Sequence, residues 1–349
     1  MTQSIPTKLG IVFSGGGGKG AYEIGVWKAL KEFKIDTQIE AVAGTSVGGL
    51  NGALFVQGDY DKAESLWLNI SPDKVMSLNT DQLYRNIALT AGSLLTPAIL
   101  AKVVLTITQL NKFQGLFSPV GLSQLIEQSN ATKSVSNALL PFTVCALNSK
   151  TKKLEYPQLN GLNAEEITDW MLASSAIPLI FDGVIINQKT YFDGGVLPSP
   201  YSDNTPFKPL IEEQGCTHII AIYLQRTPEL MAAQKEHPQV NFWNVVPTQE
   251  FDGMISSLNF TAENAAKLIE QGYQDVKVIL EQFKAFQDDE ARYLEAVFKL
   301  SDSDQNFKQS INVNQQLRNP TESKGSLDEI LQQLSQSLEQ KEQEQFDLC

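Results

Sequence analysis

Gly44-Thr45-Ser46-Val47-Gly48 is the stretch on which the reading of this chain turns. An apolar run, Ile39 and Ala41 to Ala43, precedes it, and a second apolar run, Leu50 to Val56, follows. The pattern predicts a strand, a sharp turn and a helix, with Ser46 at the apex. A G-x-S-x-G in that setting is a nucleophile elbow. The turn holds the serine in a strained conformation and projects its hydroxyl off the sheet, and small residues two positions away let strand and helix pass closely.

Working outward, Lys8 to Ser14 reads as a short strand and Lys19 to Phe33 as a helix, with Tyr22, Val26, Leu30 and Phe33 on one side. Between them runs Gly15-Gly16-Gly17-Gly18-Lys19-Gly20. Glycines before a helix N-terminus expose backbone N–H groups in a field that favours negative charge, which suits an oxyanion or a phosphate. The loop also contains G-x-G-x-x-G. A dinucleotide site, however, expects an acidic residue at the end of the second strand, where Gly44-Thr45-Ser46 stands instead. Lys19 is followed by Gly20 rather than Ser or Thr, which argues against a Walker loop. The opening is β-loop-α-β-elbow-α, the beginning of an α/β fold with a mainly parallel central sheet flanked by helices.

Further along, strands are expected at Phe142 to Leu147, Lys153 to Tyr156 and Thr217 to Leu224. A hairpin over Val184 to Ile186 and Thr190 to Phe192 would turn at Asn187-Gln188. Helices are expected from Ser118, over Ala164 to Ser175, over Thr261 to Phe286 and over Ala291 to Leu300. Ile87 to Leu110 is apolar, with Lys102 its only charge and Pro97 near its middle. It reads as a helical insertion, either a lid or an acyl-pocket wall; contact with lipid and a membrane span are the other readings. From about Ser301 the chain is polar and glutamine-rich, with a thin apolar stripe at Leu327, Ile330, Leu331, Leu334 and Leu338.

The formal net charge of −13 argues against a nucleic-acid partner. Three cysteines without a C-x-x-C pattern suggest a reducing compartment. Met1 to Lys8 is polar and does not read as a signal peptide. Asp302-Ser303-Asp304-Gln305-Asn306 imitates a calcium loop, but Phe307 and Val313 stand where Gly and Glu are needed.

A serine nucleophile needs a base. The two histidines, His218 at a strand start and His237 before Pro238, could complete a Ser-Asp-His order, though neither sits in a glycine-rich loop. A carboxylate can serve instead if burial raises its proton affinity. Asp193-Gly194-Gly195 ends a strand beside small residues; Asp182-Gly183 and Asp252-Gly253 are rivals.

Together these blocks resemble the patatin-like phospholipase family of serine acyl hydrolases. Gly15 to Gly20 is similar to its G-G-G-x-K/R-G loop, Gly44 to Gly48 to its G-x-S-x-G, and Asp193-Gly194-Gly195 to its D-G-G/A. Ala173-Ser174-Ser175-Ala176-Ile177-Pro178 with Phe181 looks like its A-S-x-A-x-P-x-x-F block. The resemblance covers about Leu9 to Leu224. It implies a patatin-like three-layer fold and a Ser-Asp dyad, with Ser46 as nucleophile and Asp193 as base. The amides of Gly16, Gly17 and Gly18 would form the oxyanion hole, with Lys19 fixing the loop or meeting a lipid phosphate. Glu23 departs from the family's usual histidine or small polar residue.

The implied substrates are glycerophospholipids or lysophospholipids, cleaved through an acyl-enzyme, with no metal or organic cofactor. The expected organisation is a catalytic domain over 1–226 containing the apolar insertion at 87–112, a helical completion over 227–300 and a helical tail over 301–349. The expected setting is cytoplasmic with peripheral contact to a membrane surface; a secreted effector without a cleavable signal peptide is the alternative. The C-terminal helix could mediate a homo-oligomer. A soluble esterase or thioesterase, and a non-catalytic lipid- or nucleotide-binding module, are the competing functions.

Overall fold

The computed structural model describes residues 7–71, 129–177, 181–195, 201–225, 236–251 and 259–282, with isolated positions between and beyond them. The chain divides into compact units Met1–Ser301 and Asp302–Cys349, and all described residues lie in the first. The expectations for 87–112 and for 301–349 fall outside the described residues; of the helix expected from Ser118, Ser123, Ile126 and Glu127 are described, and they are helical.

Five strands form a parallel sheet in the order β3-β2-β1-β8-β9. They are β1 (Leu9–Phe13), β2 (Ile39–Gly44), β3 (Phe142–Val144), β8 (His218–Ile222) and β9 (Asn241–Val245). Their near-continuous apolar sequences reflect burial on both faces. Leu9, Ile11, Phe13, Ile220 and Ile222 face one core, while Val12, Ile219 and Ala221 face the other. The first face is covered by α1 (Ala21–Glu32), α2 (Val47–Gln57), α3 (Tyr60–Leu68) and the long α7 (Ala262–Glu281). Helices α1 and α7 cross closely: a Cβ at Gly25 would strike the Ile269 carbonyl, and one at Gly272 the Tyr22 carbonyl. The second face, to which Phe242 of β9 belongs, packs against Leu210 of the short helix α6 (Lys208–Glu212).

A second sheet is antiparallel, in the order β5-β4-β7-β6. It contains β4 (Ala146–Asn148), β5 (Leu154–Glu155), β6 (Val184–Ile186) and β7 (Lys189–Asp193). The hairpin turns at Asn187-Gln188, both with positive φ as a tight two-residue turn requires. Helix α5 (Ala164–Ser174) packs on this sheet and begins with a capping box between Asn163 and Glu166. Helix α4 (Ala131–Asn137) packs against α5 and α2.

Two findings differ from the sequence expectation. Phe142 to Leu147 is not one strand: Val42 to Gly44 pair with Phe142 to Val144, and Ala146 then pairs with Asp193 in the other sheet. An unbroken apolar run carries no mark of the change, because both halves are buried. The stretch 227–300, read as helical, also supplies β9 to the parallel sheet. Its buried run, Phe242 to Val245, is interrupted by the polar Asn244 and flanked by polar residues and prolines, which hid the strand.

Candidate active site

The site lies beyond the C-terminal ends of β1 and β2, beside the point where the strand order turns from β2 to β8. Crevices at such a point are where open α/β sheets bind ligands. Ser46 stands between β2 and α2 with φ 57° and ψ −126°, a conformation rare for a residue with a side chain. The surroundings enforce it. A Cβ at Gly48 would collide with the Phe13 carbonyl, and one at Gly44 with the Gly48 carbonyl. The Thr45 N–H donates to Phe13 O at 3.2 Å, and Gly48 N–H to Thr45 O at 2.9 Å. The elbow is thus wedged between its own helix and the end of β1.

The glycine loop follows β1 and enters a 3-10 turn, Gly17–Gly20, before α1. It is pinned at one end by Gly15 N–H donating to Asn204 O at 3.1 Å and at the other by Lys19 N–H donating to Gly16 O at 3.3 Å. The amides of Gly16, Gly17 and Gly18 lie between these fixed points. A Cβ at Gly15 would come within 3.2 Å of Ser46 Cβ, so the loop runs directly past the serine. The Lys19 side chain is buried, and loss of solvation lowers its pKa. Gly20 packs against Val47, the residue after the serine.

Asp193 arrives from the other sheet, at the end of β7. It is fully buried. Its Oδ1 accepts the Gly195 N–H at 2.7 Å, and its own N–H donates to Ala176 O at 2.9 Å. Burial pushes its pKa up to about 7, against the smaller opposing pulls of the Gly195 amide and the Ser46 side chain. Oδ2 makes no hydrogen bond of ordinary geometry among the described residues. Ser46 therefore acts on the carboxyl only by lowering its pKa, without a formed hydrogen bond to Oδ2. Cys145 joins the two halves. Its N–H donates to Gly44 O at 3.3 Å, its Sγ would meet a Cβ at Gly194 at 2.6 Å, and its successor Ala146 is the register partner of Asp193.

Two further residues touch this arrangement, and neither was assigned a role from sequence. Ser174 Oγ accepts the Ser46 N–H at 3.0 Å and donates to Cys145 O at 2.7 Å, fixing the elbow to the sheet crossover. Its A-S-x-A-x-P block was the available signal. Asn204 donates from Nδ2 to Gly15 O at 3.0 Å, and its Oδ1 crowds both Gly15 and Gly195. It thereby clasps the glycine loop to the Asp-Gly-Gly turn. It sits eleven residues past Asp193, and no local pattern marked it.

The rivals lie elsewhere. His218 starts β8 opposite Leu9, and His237 precedes β9, so both are at the N-terminal edge of the sheet. A five-residue strand puts that edge about 13 Å from the serine's edge. His218 is engaged there by Thr217 Oγ1 at 3.0 Å and Asn241 Nδ2 at 3.1 Å. Asp182 is exposed, and Asp252 lies outside the described residues. Among the described residues no cluster of His, Cys, Asp and Glu could hold a metal ion.

An apolar pocket of ≈ 70 Å³ opens next to the elbow. Val47, Leu50 and Leu54 of α2 form one wall, facing Trp67, Met171 and Phe260. Among the described residues no helix is long and apolar enough to cross a membrane.

Comparison with known proteins gives the chain a family. The patatin-like phospholipase model matches residues 11–211. A patatin-like phospholipase domain-containing protein of Caenorhabditis elegans is 51% identical over 47 residues, 14% of this chain and 4% of that protein. A lysophospholipase of Aspergillus terreus is 45% identical over 49 residues, 14% of this chain and 3% of that protein. The aligned stretches are thus a small part of both relatives. Among solved structures, VipD from Legionella pneumophila is 16% identical with a TM-score of 0.42, over 80% of this chain and 68% of that one. Human GIVD cytosolic phospholipase A2 is 9% identical with a TM-score of 0.43, over 86% and 64%. With the family model spanning more than half of its length, the chain belongs to the patatin-like phospholipases, a family of lipid acyl hydrolases.

Proposed function

We propose that this protein hydrolyses acyl esters of glycerophospholipids or lysophospholipids through an acyl-enzyme on Ser46, with Asp193 as the base. The observation that carries the reading is the burial of Asp193 beside the strained serine, with a carboxyl pKa raised to about 7. A carboxylate with that proton affinity can take the Ser46 proton near neutral pH without a histidine. Attack of Oγ on the ester carbonyl forms a tetrahedral oxyanion, which the amides of Gly16, Gly17 and Gly18 receive. The protonated Asp193 then donates to the leaving alcohol. Water, deprotonated by the same carboxylate, releases the fatty acid and restores Ser46. No metal is needed for either half.

The apolar pocket beside Val47 supports an acyl substrate, since its lining offers van der Waals contact along a chain. Peripheral contact with a lipid surface belongs to the same proposal, since glycerophospholipid substrates are presented in aggregates. The decisive experiment pairs a fluorophosphonate probe with a panel of phospholipids, lysophospholipids and short water-soluble esters. Labelling at Ser46 that vanishes in S46A, with turnover of the lipids, is the expected result. Labelling with preference for the short esters would favour a soluble esterase. Absence of both labelling and turnover would leave a binding module.

A further inference from the structure

Glu23 lies in the first turn of α1 and is fully buried. We infer that Glu23 and Asn51 are a positioning pair for the glycine loop, holding its C-terminal end and tying that end to Trp67 on the wall of the apolar pocket. The inference rests on the proposed function in giving the loop its oxyanion role.

The geometry is a chain of short bonds. Asn51 Nδ2 donates to Gly20 O at 2.9 Å, where the loop becomes helix, and to Glu23 Oε2 at 2.7 Å. Asn51 Oδ1 accepts from Trp67 Nε1 at 2.9 Å. Both amide hydrogens and the amide oxygen of Asn51 are therefore committed, which fixes the orientation of its side chain. Glu23 Oε1 has no hydrogen-bond partner among the described residues, and the Ser14 backbone at the other end of the loop acts on the carboxyl only by lowering its pKa. Ser14 is itself held by Oγ bonds to Ile222 O at 2.6 Å and Thr205 Oγ1 at 2.7 Å. Asn51 and Trp67 line the apolar pocket, so one network touches the pocket and the loop.

Burial raises the Glu23 pKa well above the ordinary range, and the Asn51 hydrogen bond and the nearby Ser14 backbone oppose this less strongly. A neutral carboxyl is the form that such a site tolerates. Gln is its near isostere and keeps the acceptor for Asn51; Ala removes it and strands an amide hydrogen of Asn51 in an apolar interior.

The test compares the full-length parent, E23A, E23Q and W67F by two readouts. One is amide hydrogen exchange over residues 14–20. The other is kcat on a short water-soluble ester, divided by the amount of Ser46 that a fluorophosphonate labels. Dividing by labelled sites removes any loss that comes only from less folded protein. E23A is expected to speed exchange over 14–20 about 10-fold, with β8 and β9 unchanged. It should lower kcat per labelled site about 10-fold or more, with KM within about 2-fold. E23Q should restore most of both. If E23A does not fold, W67F is expected to move both readouts in the same direction by about 3-fold. Parent-like exchange in E23A, or in W67F where only that variant folds, overturns the inference. So does an unchanged kcat per labelled site, or equal losses in E23A and E23Q. A parent that neither labels nor turns over defeats the proposed function instead, and the exchange readout alone then decides the positioning pair.

Discussion

The parallel sheet and the antiparallel sheet contribute to the site in different ways. The parallel sheet supplies Ser46 and the glycine loop from one contiguous β-loop-α-β-elbow segment, Leu9 to Gln57. The antiparallel sheet, which the chain enters at Cys145, supplies Asp193, about 150 residues away in sequence. A nucleophile and its oxyanion cradle can be built locally, because both are backbone turns at neighbouring strand ends. The proposed base has to be carried in from outside and also stripped of solvent. The difference teaches that strain is the device on one side and burial the device on the other.

The largest test of this contrast is S46A. It should lower turnover by about 10³-fold or more and abolish fluorophosphonate labelling, with thermal stability close to the parent. Next is D193N, expected to lower kcat by about 10²- to 10⁴-fold with KM little changed. In the parent, activity should rise with pH through an inflection near 7 as Asp193 loses its proton. An activity that stays flat from pH 5 to 8 would remove Asp193 as the base.

Burial of the carboxyl also has a stability consequence of the opposite sign. The folded pKa is about 7 against an ordinary 3.8, so between these values the folded state holds a proton that the unfolded state has released. Stability from this group is therefore full at low pH and falls as pH rises from 4 to 7. D193N should be more stable than the parent at pH 8 by about 2–4 kcal/mol and nearly equal to it at pH 4, by thermal melts at both. S174A comes next: it leaves the Ser46 N–H and the Cys145 carbonyl without their partner and should cost about 1–3 kcal/mol. Smallest is H218A, far from Ser46 on the opposite edge of the sheet, where kcat should stay within about 2-fold. A loss approaching that of D193N would reinstate a histidine base.

Much of the parallel half was legible in the sequence. Gly44 and Gly48 announced a close passage of strand and helix, and the structure puts backbone carbonyls where their side chains would be. The glycine run announced a loop, and it turns past Ser46. The antiparallel half was less legible. The hairpin was visible as two short runs around Asn187-Gln188, but the strand change at Cys145 was not, since a buried run reads the same in one sheet or two. Asn204 and the Glu23–Asn51–Trp67 chain are contacts between residues far apart in sequence, and no local period marks them.

By itself the sequence determined the elbow, the glycine loop, the parallel sheet and the chemical types able to act there. These depend on backbone sterics and on periodicity, which are local. Only the tertiary structure decided which acid stands beside Ser46, how far its proton affinity rises and where both histidines lie. Those depend on solvent exclusion and on sheet register, which exist only once distant strands have packed.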